Sequence, residues 1–209
     1  MSQVISLDDL SRRIRTYDPS RRIIIALAGP PGSGKSTTAE LLVAHLNENE
    51  PGSAAMVPMD GFHYDDIVLN ARGWRLRKGA PHTFDYGGYA HLLSRLAANA
   101  EEEIAIPVFD RSIEISRGSA RMIQSSVKYI VTEGNYLLLT RQPWSSLRRL
   151  FDITVFLQVD KDELRRRLLA RWRDLSPEEL VTKMEGNDLP NVETVINESG
   201  GADFILVTG

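Results

Sequence analysis

A glycine-rich segment near the beginning of the chain has the residue types and the spacing that bind phosphate groups. Residues 29–36 read Gly-Pro-Pro-Gly-Ser-Gly-Lys-Ser and fit the pattern G-x-x-x-x-G-K-[ST] at every position. In this pattern the backbone N–H groups point inward, the lysine reaches the β- and γ-phosphates, and the following hydroxyl holds Mg²⁺. The segment therefore predicts a site for a nucleoside triphosphate with Mg²⁺, and by itself it does not distinguish a kinase from an ATPase or a GTPase. The predicted contacts come from Gly32, Ser33, Gly34, Lys35, Ser36 and Thr37.

Two carboxylates are candidates for the chemistry beside these phosphates. Asp60 follows Val57-Pro58-Met59, Glu133 follows the apolar run that begins at Val127, and each acid precedes a glycine. In open α/β sheets, ligands gather at the carboxyl ends of the strands, where such acids would lie. We assign Asp60 mainly the role of general base toward an acceptor hydroxyl, with a second role at the metal. We assign Glu133, with Ser36, mainly to Mg²⁺. The alternative for each acid is a structural role in a turn.

An arginine-rich helix is predicted after the fourth strand of the sheet. Five arginines lie within residues 165–173, more than the neighbouring acids can neutralise. Arg171 or Arg173 could close onto the phosphates and stabilise charge in the transition state, as part of a lid and hinge over about 165–186. A fresh helix is predicted to begin at Ser176-Pro177, and the break before it suits a hinge. The alternative is a solvated helix face.

Composition excludes several other classes of protein. The 209 residues carry a formal charge of −3, so no global basic field favours nucleic acid, although 20 of the 25 cationic residues are arginine. There is no cysteine, which excludes disulfides and thiolate metal sites. No apolar run reaches membrane-spanning length and the first residues do not resemble a signal peptide, so we expect a cytoplasmic protein. The Asn-Lys-x-Asp string of guanine-specific enzymes does not occur, which disfavours a GTPase.

The pattern of elements predicts an α/β fold. Short apolar runs typical of buried strands alternate with amphipathic helices, which implies a mostly parallel sheet covered on both faces. We expect one domain over 1–209, with the three-layer sandwich of P-loop NTPases. Residues 60–84 lack periodicity and read as a working loop, and residues 104–124 read as a small hairpin that turns at Arg117-Gly118. The predicted helices and strands have these bounds: helices 6–15, 35–47, 86–98 and 160–173, and strands 21–28, 54–59, 127–131, 153–159 and 202–207.

In these motifs the sequence resembles the phosphoribulokinase, uridine kinase and pantothenate kinase family of P-loop small-molecule kinases. Within it, the sequence resembles the bacterial kinases described as fructose transport system kinases. The resemblance implies transfer of the γ-phosphoryl group of ATP to a hydroxyl of a small metabolite, which we expect to be a sugar or a sugar-like compound. The matching segments cover most of the chain: 29–37 (GPPGSGKST), 59–64 (MDGFHY), 77–85 (RKGAPHTFD), 106–112 (IPVFDRS), 130–138 (IVTEGNYLL), 151–160 (FDITVFLQVD) and 165–173.

The resemblance also implies acceptor contacts from the loop over about 60–85 and from the hairpin. It places Arg77, Lys78, Asp85 and Arg111 at the acceptor, and Asn191 beside the adenine base. His63 could hydrogen-bond a substrate hydroxyl or be an ordinary loop histidine. Arg111 suggests an anionic acceptor, or else it pairs with Asp110 or Glu114.

Three alternatives stay open. The string Gly79-Ala80-Pro81 departs from the Asp-His-Pro of uridine kinases, and Phe109-Asp110-Arg111 departs from the Tyr-Ser-His of pantothenate kinases. A nucleoside or pantothenate kinase is therefore the second choice. An ATP-binding regulatory module of a sugar-uptake system is the third. We expect the protein to bind a small-molecule acceptor, and we expect it to bind neither nucleic acid nor a membrane. The oligomeric state is open, a homodimer being one option.

Overall fold

The computed structural model describes residues 2–17 and 20–208, which form eight strands and seven α-helices. The strands are β1 (Gln3–Val4), β2 (Ile23–Ala28), β3 (Ala54–Pro58), β4 (Glu103–Asp110), β5 (Ile115–Gln124), β6 (Tyr129–Gly134), β7 (Ile153–Gln158) and β8 (Phe204–Val207). The helices are α1 (Leu7–Ile14), α2 (Lys35–Asn47), α3 (Asp66–Ala71), α4 (Tyr86–Ala98), α5 (Lys161–Arg171), α6 (Pro177–Lys183) and α7 (Leu189–Glu198). None of the helices in the described residues is long and apolar enough to cross a membrane.

Six strands form one parallel sheet in the order β1-β8-β7-β2-β6-β3. The central strand β2 is buried along its whole length, which explains its uninterrupted apolar sequence. In register, Ala28 pairs with Gly134, and Pro58 pairs with Glu133. The carboxyl ends of β2, β6 and β3 therefore meet at one edge of the sheet. This edge carries the glycine-rich segment, Glu133 and Asp60 side by side.

Helices cover both faces of the sheet, so the fold has three layers. Alternate residues of β2 belong to two hydrophobic clusters, as the two-residue period of a strand requires. One cluster contains Leu10 of α1 and Leu42 of α2. The other contains Tyr89 and Leu93 of α4. The predicted α/β fold with a mostly parallel sheet is confirmed.

A third, smaller cluster holds the arginine-rich helix in place. Leu164 and Leu168 of α5 pack with Met184 and with Val192 of α7. A Cβ atom on Gly32 would lie 3.3 Å from Leu168, so this helix also contacts the glycine-rich segment. The next helix, α6, begins with a capping box in which Ser176 and Glu179 exchange hydrogen bonds. The fresh helix predicted after the break at Ser176-Pro177 is present.

The strand and helix predictions hold to within a few residues, with one clear error in the hairpin. Strands β4 and β5 pair antiparallel, but the turn lies between Asp110 and Ile115 and not at Arg117-Gly118. Gly118 lies inside β5, where the register shifts opposite Pro107. A proline has no N–H to donate to the ladder, so the partner strand bulges there. The Arg117-Gly118 pair therefore belongs to a bulge in β5 and does not form the turn of the hairpin. Strand β1 and helix α3 were not predicted.

Candidate active site

The glycine-rich segment joins β2 to α2 in the conformation that its sequence predicts. Gly32 and Gly34 have φ of 83° and 86°, left-handed values that glycine adopts without strain. Gly34 is the N-cap of α2, and nothing lies within 4 Å of a Cβ atom built on it. The beginning of a 13-residue helix thus faces an open space. A helix N-terminus preceded by a glycine turn is suited to phosphate.

Lys35 lies at the base of this segment and is buried. Its ammonium donates a hydrogen bond to the carbonyl oxygen of Pro30 at 3.0 Å. Burial lowers the pKa of Lys35, and the negative charges of Glu133 and Asp60 partly offset this effect. The lysine is held where phosphates bound to the segment would meet it.

Ser36 and Glu133 form the pair that fits a nucleotide-bound Mg²⁺. The Ser36 hydroxyl donates to Oε1 of Glu133 at 3.2 Å. Burial, and then the neighbouring charge of Asp60, raise the pKa of Glu133. A hydroxyl and a carboxylate are the oxygen donors that Mg²⁺ uses in nucleotide sites, with the remaining positions left to phosphate and water. Within the described residues no group of three His, Cys, Asp or Glu could hold a metal alone. This donor set therefore suits a metal that arrives with the nucleotide.

Asp60 lies two residues beyond the end of β3 and faces the same cavity. Its carboxylate accepts a hydrogen bond from the Arg111 guanidinium at 2.9 Å. The hairpin that carries Arg111 is fixed to this turn, because the Ser116 hydroxyl donates to the Gly61 carbonyl and a Cβ atom on Gly61 would collide with Pro107. Of the alternatives for Arg111, pairing with an acid occurs, but the partner is Asp60. Asp110 instead accepts from Ser112 and lies 3.4 Å from Arg117.

Aromatic rings form the wall opposite the glycine-rich segment. The His63 ring lies 4.0 Å from that of Phe84 and 4.7 Å from that of Phe109, between centroids. Its Nδ1 contacts the Asp60 carbonyl oxygen at 2.9 Å. Burial lowers the pKa of His63, which favours the neutral ring. All three rings line a cavity of about 220 Å³ that also contains Lys35, Asp60 and Glu133.

Of the two predicted lid arginines, only one lines this cavity. Arg171 reaches it and makes no ion pair in the part of the chain that the structure describes. Arg173 lies outside it, with its side chain 80% exposed and 3.7 Å from Asp174. A third arginine approaches the glycine-rich segment: Arg167 pairs with Glu163 at 2.7 Å and is 3.5 Å from the Gly32 carbonyl oxygen.

Comparison with known proteins assigns the family. A family description named "AAA domain" matches residues 25–181. A protein named "Putative uridine kinase" from Schizosaccharomyces pombe is 32% identical over 97% of this chain and 91% of its own length. The chain belongs to the P-loop small-molecule kinases. The family and the enzyme class predicted from the sequence are thereby confirmed.

Two further relatives show how this kinase is built. A crystal structure described as "putative fructose transport system kinase" from Silicibacter sp. TM1040 is 36% identical, covers 96% of the kinase and 98% of its own chain, and has a TM-score of 0.88. A pantothenate kinase from Listeria monocytogenes is 30% identical over 71% of the kinase but only 49% of its own length. The kinase thus spans about half of that relative.

The predicted acceptor residues of the kinase lie in different surroundings. Lys78 lines the cavity, but its ammonium already donates to Asp66 at 2.7 Å and to the Glu114 carbonyl oxygen at 2.6 Å. Arg77 lies outside the cavity and donates to the Gly186 carbonyl oxygen at 2.7 Å. Asp85 also lies outside it and caps α4 by accepting from the Gly88 amide at 2.9 Å. The structure therefore brings His63, Lys78 and Arg111 together at the cavity, apart from Arg77 and Asp85.

Most, but not all, of the predicted nucleotide-binding residues of the kinase line the cavity. Gly32, Gly34, Ser36, Thr37 and Asn191 line the cavity together with Lys35. Ser33 does not line it, and its buried hydroxyl makes no hydrogen bond. The Asn191 amide donates to Asn187 at 3.1 Å, so it contacts the same buried asparagine that bonds to the acceptor loop.

Several residues that line the cavity were not assigned a role from the sequence. Asn135 follows Glu133 by two residues, so its position after a strand was the signal that could have identified it. The others come from the glycine-rich segment, the acceptor loop, the hairpin and residues 172–188, which meet only in the folded chain. They are Pro31, Arg75, Gly79, Phe84, Phe109, Glu114, Trp172, Lys183, Asn187 and Asp188.

Proposed function

We propose that the kinase transfers the γ-phosphoryl group of ATP to a hydroxyl of a neutral, sugar-like metabolite, with Asp60 as the general base. The observation that carries the proposal is that Asp60 lies across one cavity from Lys35, Ser36 and Glu133. This arrangement would place an acceptor hydroxyl between a carboxylate and the phosphates. Bound ATP would supply the phosphoryl group, and Mg²⁺ would neutralise its charge.

The residues that line the cavity then have separate roles. Asp60 takes the proton of the acceptor hydroxyl. Lys35 and Arg171 stabilise the charge on the phosphoryl oxygens. Ser36 and Glu133 hold the metal. The wall of His63, Phe84 and Phe109 excludes water and orients the acceptor.

The charges around the acceptor wall support a neutral acceptor. Arg171 is assigned to the phosphates, and the cations nearest the acceptor wall have acidic partners within the protein: Lys78 and Arg75 pair with Asp66, and Arg111 pairs with Asp60. An anionic acceptor would have to displace these contacts. A hydroxylated ring can instead lie against the aromatic wall, and the His63 ring offers it a hydrogen bond.

A nucleoside is the second candidate acceptor. It is supported by the relative from Schizosaccharomyces pombe that is named as a uridine kinase and matches almost the whole chain. A planar base could also stack on the aromatic wall. A cytoplasmic location and a homodimer stay predictions from the sequence.

A screen of ATP consumption with sugars, sugar phosphates, nucleosides and pantothenate tests the proposal. We expect a neutral sugar or sugar-like compound to stimulate turnover, and Lys35→Ala to weaken ATP binding and turnover together. Stimulation by a nucleoside would favour the second candidate. ATP hydrolysis that no acceptor stimulates would support the regulatory module, and full ATP affinity in Lys35→Ala would contradict the assignment of the phosphate site.

A further inference from the structure

A second cavity, of about 520 Å³, lies on the other side of Phe84 from the candidate active site. Phe84 lines both cavities. The walls of the second cavity come from the acceptor loop, the beginning of α4 and residues 141–144. Five of the residues that line it are aromatic: Tyr64, Trp74, Phe84, Tyr86 and Trp144. Aromatic surface of this extent offers a flat apolar face to a ligand.

The basic side chains of this cavity have no acidic counterpart among its lining residues. Arg72, His82 and Arg141 line it, and no aspartate or glutamate is among its lining residues. The Arg72 guanidinium lies 5.2 Å from the ring centroid of Tyr64 and 4.9 Å from that of Trp74. It makes no ion pair within residues 2–17 and 20–208. Its N–H groups are therefore available to an anion.

The charges next to the cavity are mainly positive. Burial, followed by the positive charges of Arg77 and Arg141, lowers the pKa of His82. Arg141 pairs with Glu198 through Nε at 3.1 Å, and Glu198 does not line the cavity. An anion in the cavity would thus meet the guanidinium of Arg72, which has no ion pair among the described residues, and that of Arg141, which it would share with Glu198.

The floor of the cavity is preformed by packing. Trp144 and Phe84 are buried and meet edge to face, with ring centroids 6.1 Å apart. Tyr86 packs against Trp144 at 5.5 Å, and its hydroxyl is hydrogen-bonded to that of Ser146. Trp74 meets the ring of His82 at 4.9 Å. A ligand would therefore bind without first ordering these rings, which favours affinity.

We propose that this cavity is a second binding site, for a small planar organic anion in which an aromatic ring carries a carboxylate or a phosphate. The rings of the floor take the flat face of the ligand, and the forked donors of Arg72 and Arg141 take the anionic group. The binding does not depend on the proposed function.

Calorimetry on the full chain tests the binding, with ADP and Mg²⁺ present to fill the nucleotide site. The probes are 1-naphthyl phosphate, 1-naphthoate, neutral 1-naphthol and inorganic phosphate. We expect at least one aryl anion to bind about tenfold or more tightly than both naphthol and inorganic phosphate. The stronger of the two aryl anions identifies the anionic group. Quenching of tryptophan fluorescence should accompany binding, because Trp74 and Trp144 line the cavity.

Substitutions then locate the site. The double variant Arg72→Gln with Arg141→Gln should lose about tenfold or more in affinity for the aryl anion. Arg72→Lys keeps the positive charge but not the forked N–H donors of the guanidinium, so it should lose part of this affinity. The matched control is Arg13→Gln on α1, on the opposite face of the sheet, which should bind like the wild type. Circular dichroism verifies that each variant is folded.

Four results would overturn the proposal. They are the absence of aryl-anion binding at millimolar concentration, equal binding of naphthol, undiminished binding in the folded double variant, and binding without tryptophan quenching. Since no turnover is measured, failure of this site is distinguishable from failure of the proposed acceptor chemistry.

Discussion

At the scale of single residues, the account depends on one carboxylate. Asp60 is within hydrogen-bond distance of Arg111, and it shares the cavity with Glu133 and Lys35. The Arg111 guanidinium donates to this carboxylate at 2.9 Å and holds it at the cavity. The aspartate is therefore positioned for its role before an acceptor arrives.

Replacement of this carboxylate should remove turnover but keep nucleotide binding. We expect Asp60→Asn to lower kcat by about 10²–10⁴-fold, the usual contribution of a general base. Its ATP affinity, measured by calorimetry, should stay near that of the wild type. Asp110→Asn is the matched control on the hairpin, because Asp110 pairs with Ser112 and Arg117 and not with the site. Wild-type kcat in Asp60→Asn would contradict the assignment.

The two lid arginines give a second comparison between residues of one type. Arg171 lines the cavity without an ion pair in the described chain, whereas Arg173 points to solvent. We expect Arg171→Ala to lower kcat by about 10²-fold, since it removes a donor to the phosphoryl group. Arg173→Ala should leave kcat within about twofold, as a surface substitution does. Equal losses in the two variants would show that Arg173 also reaches the phosphates.

At the scale of elements, the acceptor loop and the segment before α7 form one hydrogen-bonded unit. The buried Asn187 amide donates to the Lys78 carbonyl oxygen at 2.8 Å, and Arg77 donates to the Gly186 carbonyl oxygen at 2.7 Å. Asn191, on α7, donates in turn to Asn187. We therefore expect a movement at Asn191 to be transmitted to the acceptor loop.

Removal of the Asn187 hydrogen bond should weaken the effect that nucleotide binding has on acceptor binding. We expect Asn187→Ala to raise the acceptor KM and to reduce the factor by which a non-hydrolysable ATP analogue tightens acceptor binding. A buried carbonyl left without its donor costs about 1–3 kcal/mol, so stability should fall as well. Asn197→Ala, at an exposed position on α7, is the control. An unchanged coupling factor in a folded Asn187→Ala protein would show that the two loops act independently.

One buried arginine joins elements far from the site. Arg22 is 3% exposed, and its guanidinium donates to the carbonyl oxygens of Val127, Leu96 and Gln124 at 2.8, 3.1 and 2.8 Å. These bonds tie the beginning of β2 to the end of α4 and to the connection between β5 and β6. Burial lowers the pKa of Arg22.

The loss of these bonds should destabilise the whole fold. Arg22→Met leaves three carbonyl groups without a donor, and we expect the free energy of unfolding to fall by about 3 kcal/mol. Urea unfolding followed by circular dichroism measures the change. Arg13→Met on the surface of α1 should be within about 0.5 kcal/mol of the wild type. If Arg22→Met were as stable as the wild type, the three hydrogen bonds of Arg22 would make no net contribution to the free energy of unfolding.

At the scale of the whole molecule, local patterns predicted what local physics determines. The motif at 29–36 placed the start of α2, and the predicted helices 86–98 and 160–173 begin within one residue of α4 and α5. The apolar run at 23–28 placed the central strand. Because parallel strands end at one edge, the meeting of Asp60 with Glu133 and Lys35 was also predictable.

Contacts between distant segments could not be predicted in this way. The pairing of Arg111 with Asp60 depends on where the hairpin packs, and the turn of that hairpin was misplaced because Gly118 marks a bulge. The internal partners of Lys78 and Arg77 lie 12 to 109 residues away. The aromatic walls likewise unite residues from the acceptor loop, the hairpin and residues 141–144.

The most direct test of the account is the identification of a phosphorylated product. The wild-type kinase and Asp60→Asn are incubated with ATP, Mg²⁺ and the panel of hydroxyl-bearing metabolites, and products are analysed by mass spectrometry and ³¹P NMR. We expect the wild type to form a phosphate monoester on a neutral sugar-like acceptor, and Asp60→Asn to bind ATP but form almost none. Formation of ADP and inorganic phosphate alone with every acceptor, or equal product from Asp60→Asn, would contradict it.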